Sequence, residues 1–172
     1  YAQGRKSKEE VRNLFIDALY NYLLENKKHR DLDFVYGSLQ NIDSNKVTKF
    51  IPLDGQQRLT TLFLMHWYLA NKDNDFETFK TYLVTNDKSN FSYKTRTSSS
   101  EFCDAILNND IDLSDLLEAD KDKENSLSKT IQDAGWYYSS WESDPTIQSM
   151  LVMIDTIHYK FKDTIGFYNR LV

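Results

Sequence analysis

The run from Leu59 to Ala70 is apolar on almost every side of a helix, and it constrains this chain more than any other feature. Leu59, Leu62, Phe63, His66, Leu69 and Ala70 fall on one face at helical spacing, and Leu64, Met65, Trp67 and Tyr68 cover much of the rest. A helix apolar nearly all round is stable only when other elements cover it. The segment from about Gln57 to Asn71 is therefore the element around which the chain must fold.

The octet that opens this helix, Asp54-Gly55-Gln56-Gln57-Arg58-Leu59-Thr60-Thr61, follows a strand-like run from Val47 to Leu53. A Gly turn feeding a helix start leaves backbone N–H groups unpaired, which favours an anion. Gly55 permits a positive backbone angle and close approach of a phosphate. Arg58 offers a planar fork for bidentate phosphate binding, Gln56 and Gln57 can orient a water or bind a base or phosphate, and the Thr60 and Thr61 hydroxyls can meet an anion or cap the helix. Asp54 is expected to hold Mg²⁺ through water or to polarise a hydroxyl. The catalytic candidates are Asp54, Gln57 and Arg58, with Asp54 as the metal ligand. The plainer readings are an N-cap for Asp54 and a structural ion pair for Arg58. Gly37-Ser38 is a second candidate, because a Gly inside a strand marks close backbone approach or a bulge.

Asp-Gly-Gln-Gln-Arg-Leu-Thr-Thr-Leu resembles the signature of the DGQQR family, the domain of unknown function 262. That family includes the S half of GmrSD-type modification-dependent restriction enzymes. Tyr1-Ala2-Gln3-Gly4-Arg5 resembles the end of the family's upstream segment, and Phe34-Val35-Tyr36-Gly37-Ser38-Leu39 its strand with Gly-Ser. The resemblance covers about the first third of the chain and has the right order. It implies a small β-hairpin/helix core like that of ParB and sulfiredoxin, an NTP site completed by Tyr1, Gln3 and Arg5, and NTP hydrolysis controlling a nuclease elsewhere. It also implies contact with DNA through a parent protein. The alternative is a sensing module that binds nucleotide or DNA without turnover.

Elsewhere the reading is mostly helical. Ser7-Lys8-Glu9-Glu10 is a capping-box pattern before a stripe of Val11, Leu14, Phe15, Ala18, Leu19, Tyr22 and Leu23. Asp33–Gln40 and Val47–Leu53 read as a hairpin joined by a turn at Asn41–Asn45. A short aromatic helix is expected over Asp75–Val84. A second capping box, Ser98-Ser99-Ser100-Glu101, precedes Phe102, and an acidic stretch runs from Asp110 to Glu124. Leu127, Ile131, Ala134 and Tyr138 form a further stripe, and Asp144-Pro145 starts a last helix whose face is Ile147, Met150, Leu151, Ile154, Ile157, His158 and Phe161. The fold class is α+β, a core over 1–72 followed by a helical lobe over 73–172.

Composition narrows function by exclusion. A net charge of −5 argues against a general polyanion binder, and the basic clusters at Arg5–Arg12 and Lys27–Arg30 read as solvated surface. With five glycines, the chain has neither common nucleotide-binding glycine fingerprint. His66 and His158 read as packed side chains, and Arg96 as part of a capped loop. Cys103, the single cysteine, reads as a core residue. One cysteine, no signal-peptide pattern and no membrane-length run fit a cytoplasmic protein. Starting at Tyr1 without Met, the chain reads as a piece of a longer protein.

Overall fold

The computed structural model describes residues 2–26, 29, 31–41, 48–109, 111–114, 117 and 126–172. The expected turn at Asn41–Asn45, the acidic stretch, the Lys27–Arg30 cluster and Tyr1 fall wholly or largely outside the described residues.

In order, the elements are α1 (Glu9–Glu25), β1 (Gly37–Asn41), β2 (Thr48–Pro52), α2 (Gln56–Lys72), α3 (Phe76–Leu83), β3 (Val84–Thr85), β4 (Lys88–Ser89), α4 (Thr97–Asn108), α5 (Leu127–Asp133), α6 (Pro145–Phe161) and α7 (Tyr168–Leu171). Single 3₁₀ turns cover Lys6–Lys8 and Ser139–Ser143. The fold is α+β: β1 and β2 form an antiparallel hairpin with Ser38 opposite Ile51, β3 and β4 a shorter one, and helices make up the rest.

Helix α6 is the hub against which α1, α2, α4 and α5 pack. It buries Ile147, Met150, Leu151, Met153, Ile154, Ile157 and Phe161. Helix α2 buries Phe63, Leu64, Met65, Trp67, Tyr68, Leu69 and Ala70, as its all-round apolar sequence requires. Each such side chain contributes about 1.5–3 kcal/mol when taken out of water. Two polar side chains in this core are paired: Trp67 Nε1 donates to Ile106 O at 2.8 Å, and Tyr68 OH meets His158 Nδ1 at 3.1 Å. Cys103 is fully buried, which pushes its thiol pKa far up. His66 and His158 are packed as expected, and burial lowers both, His66 to about 4.

Several local expectations are corrected. Helix α1 keeps most of its expected stripe, with Leu19 and Leu23 buried and Phe15 and Tyr22 packed against the core, but the stripe shifts at its start: Arg12 and Ile16 are buried, while Val11 and Leu14 are exposed. The Arg12 guanidinium sets that phase, because its Nη1 donates to Gln3 O and Arg5 O, both at 3.3 Å. Ser7 does not cap α1; it lies in the 3₁₀ turn, and Lys8 precedes the helix without a capping bond. The second capping box also fails, because Ser98 and Ser99 donate their hydroxyls to Asp144 Oδ2, at 2.6 and 3.2 Å, across 46 and 45 residues. The first strand begins at Gly37 rather than Asp33, because the carbonyls of Leu32 and Phe34 are taken by Arg58. Helix α5 ends at Asp133, so Tyr138 lies beyond it and is exposed.

Candidate functional site

The octet sits where the hairpin meets α2. Leu53 N and Asp54 N both donate to Tyr36 O, at 2.7 and 3.0 Å, which closes the base of the hairpin. Gly55 then occupies the N-cap with φ +81°, and a Cβ there would lie 2.9 Å from Val35 Cγ2. Backbone angle and space both demand glycine. The first helical hydrogen bond runs from Leu59 N to Gly55 O at 3.0 Å. The amides of Gln56, Gln57 and Arg58 precede it, and α2 has no side-chain cap. Among the described residues this helix start is open.

Arg58 is anchored on one side. Its Nη1 donates to Leu32 O at 3.2 Å and to Asp33 Oδ2 at 2.9 Å, and its Nη2 donates to Phe34 O at 2.8 Å. Asp54 Oδ2 lies 3.9 Å from Nη2, with the Asp54 side chain 71% exposed. The ion pair considered from sequence is thus present, and its main carboxylate is Asp33. The Phe34 N–H and then the guanidinium hold the Asp33 carboxyl below its ordinary range. Three donors of the fork are used; the Nε–H and one N–H on Nη2 are left.

The neighbouring side chains divide between open and committed. Gln56 is exposed, and its Nε2 donates to Pro52 O at 2.9 Å, so its carbonyl oxygen has no protein donor among the described residues. Gln57 Oε1 accepts from Ala2 N at 2.6 Å and Gln3 N at 3.1 Å. Thr61 Oγ1 donates to Gln3 Oε1 at 2.7 Å and to Gln57 O at 3.1 Å. Thr60 is buried; its hydroxyl donates to Gln56 O at 3.0 Å and meets Tyr93 OH at 2.9 Å. Gln57, Thr61 and Arg12 together clasp the N-terminal turn against α2. Gly4 lets the same turn approach α6, since a Cβ there would lie 1.8 Å from Ser149 O.

The structure therefore brings Gln3, Asp54, Gly55, Gln56, Gln57, Arg58, Thr60 and Thr61 to one junction. Gly37 stands at the base of the hairpin opposite Pro52, and a Cβ on it would meet Ile51 O at 2.3 Å, so its glycine serves strand approach. Ser38 is exposed on the ladder. The side chains of Arg5 and Arg96 face solvent, and Arg96 precedes α4 without a capping bond. Asp33, Arg12 and Tyr93 are the junction residues that sequence reasoning missed. The signal for Asp33 was weak: one carboxylate among many, beside an expected strand. No group of three or more His, Cys, Asp or Glu side chains suited to a metal occurs among the described residues.

Residues 6–170 match the family model of the GmrSD restriction endonuclease, N-terminal domain. The chain belongs to that family. Membership places this GmrSD-type domain in a restriction, or phage-defence, protein and relates it to DNA through that protein. No curated protein and no solved structure matches the chain. No helix among the described residues of the domain is long and apolar enough to cross a membrane.

Proposed function

We propose that the open start of α2 binds the phosphates of a nucleoside triphosphate and that the domain hydrolyses it to regulate a nuclease in the parent protein. The supporting observation is the uncapped first turn behind Gly55, flanked by Arg58 and by the exposed carboxylates of Asp33 and Asp54. Phosphate oxygens accept from the amides of Gln56, Gln57 and Arg58 and from the spare donors of the Arg58 fork. The resemblance to ParB and sulfiredoxin cores, where a Gly turn and an Arg cradle phosphate, belongs to the same reading.

Mg²⁺ fits such a site, since it needs only one or two carboxylates besides phosphate and water. Asp54, with Asp33 beside it, would hold the ion, which neutralises phosphate charge when bound. Arg58 stabilises charge on the transferred group. Gln56 has the free carbonyl oxygen that a water-orienting side chain needs. Gln57 spends its own on the N-terminal turn and acts as a positioning residue. Arg5, at that turn, completes the site in this proposal, with Tyr1 carried over from the resemblance and Thr60, Thr61, Gly37 and Ser38 shaping its walls.

A second reading is a nucleotide- or DNA-sensing module without turnover. It is favoured by the structural commitments of Gln57, Thr60 and Thr61. Calorimetry with Mg·ATP, GTP, CTP and UTP, paired with phosphate release, separates the two. Saturable binding lost in Asp54→Ala and Arg58→Ala with phosphate released supports hydrolysis; binding without release supports sensing. No binding by the folded protein overturns both.

A further inference from the structure

The three open amides at the start of α2 are not alike. The Gln56 N–H shares a peptide group with Gly55 O, which accepts from Leu59 N. The Gln57 N–H shares one with Gln56 O, which accepts the Thr60 hydroxyl at 3.0 Å. The Arg58 N–H shares one with Gln57 O, which accepts the Thr61 hydroxyl at 3.1 Å. We propose that Tyr93 is a positioning residue for the Gln57 amide, acting through Thr60 and the Gln56 carbonyl. The proposal rests on the reading of this helix start as the phosphate site.

The direction of the hydrogen bonds carries the argument. A threonine hydroxyl has one hydrogen. Thr60 gives its own to Gln56 O, which can only accept, so at the 2.9 Å contact between Thr60 Oγ1 and Tyr93 OH the hydrogen comes from the tyrosine. The chain therefore runs one way, from Tyr93 O–H to Thr60 O–H to the Gln56 carbonyl, and through that peptide to the Gln57 N–H. Hydrogen bonds in such a chain polarise one another: a hydroxyl that accepts donates more strongly, and a carbonyl that accepts leaves its peptide N–H a better donor. Thr61 shows the contrast. Its hydroxyl faces Gln3 Oε1 at 2.7 Å as well as Gln57 O, so its one hydrogen is divided and the pull on the Arg58 amide is weaker.

Tyr93 is held firmly enough to act this way. Ser100 fixes its backbone to α4, with Oγ accepting from Tyr93 N at 3.0 Å and donating to Tyr93 O at 2.8 Å. Its ring meets Phe91 edge-on at 5.8 Å, and Phe91 stacks on Phe63 of α2 at 4.6 Å. Thr60 is 2% exposed, which leaves water little access to the pair. Burial pushes the Tyr93 hydroxyl up to about 12, so at neutral pH it is a standing donor and not a group that trades protons. A side chain fixed to α4 thus sets the geometry and donor strength of one amide in α2, across 33 residues.

The test compares the 172-residue chain with Tyr93→Phe, Thr60→Val and the double variant. NMR reads the Gln56 carbonyl carbon and the Gln57 and Arg58 amide protons, first in the free protein and then with Mg·ATP. The Trp67 indole N–H, bonded to Ile106 O, reports that each sample is folded. In the free protein, Tyr93→Phe should move the Gln56 carbonyl and Gln57 amide signals toward weaker hydrogen bonding and leave the Arg58 amide in place. Thr60→Val should move them further, and adding Tyr93→Phe to it should change nothing more. The Mg·ATP dissociation constant should rise about fivefold in Tyr93→Phe, with no added loss from Tyr93→Phe once Thr60 is replaced. Lower stability with those signals and the affinity unchanged, or additive losses in the double variant, would overturn the proposal. Selective shifts in a free protein that binds no Mg·ATP would support the Tyr93–Thr60 chain and overturn the nucleotide reading alone.

Discussion

Helices α6 and α2 each have an aspartate at or just before their start, and they use it in opposite ways. At α6, Asp144 is the N-cap: its Oδ1 accepts from Thr146 N at 2.7 Å and Ile147 N at 3.3 Å, and Pro145 fills the next position. Its Oδ2 takes the hydroxyls of Ser98 and Ser99 as well. At α2, a left-handed glycine intervenes, the N-cap makes no side-chain bond, and Asp54 stands out in solvent. One helix start is closed by its own chain and ties two helices together. The other is left open at the point where the sequence is richest in polar groups, and that is the physical basis for reading it as a binding site.

The contrast is broken most forcefully at Asp144. Asp144→Ala removes a cap and strands two hydroxyls, and urea unfolding should show a loss of about 2–3 kcal/mol. Asp54→Ala should stay within about 0.5 kcal/mol of the parent in the same experiment, because nothing in the fold rests on that carboxylate. Equal costs would remove the distinction between the two ends.

Gly55 sharpens the same point. Gly55→Ala forces a side chain into a positive φ and against Val35, for a loss of about 1–2 kcal/mol. Gly166 has φ +66° with open space around its Cβ direction, so Gly166→Ala should cost less, from backbone strain alone. A Gly55→Ala cost no larger than that at Gly166 would show that Val35 does not press on the turn.

The smallest effects come from pH. Burial raises the Asp144 carboxyl, but the bonds from Ser98, Thr146 N, Ile147 N and Ser99 outweigh it and hold it below the usual 3.8. Its contribution is present above that value and is lost as pH falls through the folded one. His66, lowered by burial to about 4, stays neutral in the fold. Its contribution is complete above pH 6.5 and declines between 6.5 and 4. Stability should therefore fall in two stages on acidification, and the cost of Asp144→Asn should shrink only in the second. A cost that is constant with pH would contradict that assignment.

The parts legible from sequence are those governed by local rules. Pro145 after Asp144 marked α6, and an apolar run with no polar face marked α2. Only the start of the α1 stripe was misread, because Arg12, a charged residue, is buried against carbonyls of a turn outside the helix, while Val11 and Leu14 lie at the surface. Ser98 and Ser99 misled for a similar reason: a capping pattern fits two sites, and the acceptor that won is a carboxylate more than forty residues away. At the junction, Gly55 was legible from its turn. The clasp of Gln57 on Ala2 and Gln3 was not, since a hydrogen bond across 55 residues leaves no trace in spacing.

The most direct test reads backbone amides by NMR during a titration with Mg·ATP. The account predicts saturable shifts at Gln56, Gln57 and Arg58, weakened in Asp54→Asn, with Thr146 and Ile147 unmoved because Asp144 already occupies them. Undisturbed amides at Gln56–Arg58 in the folded protein, or equal movement at both helix starts, would contradict it.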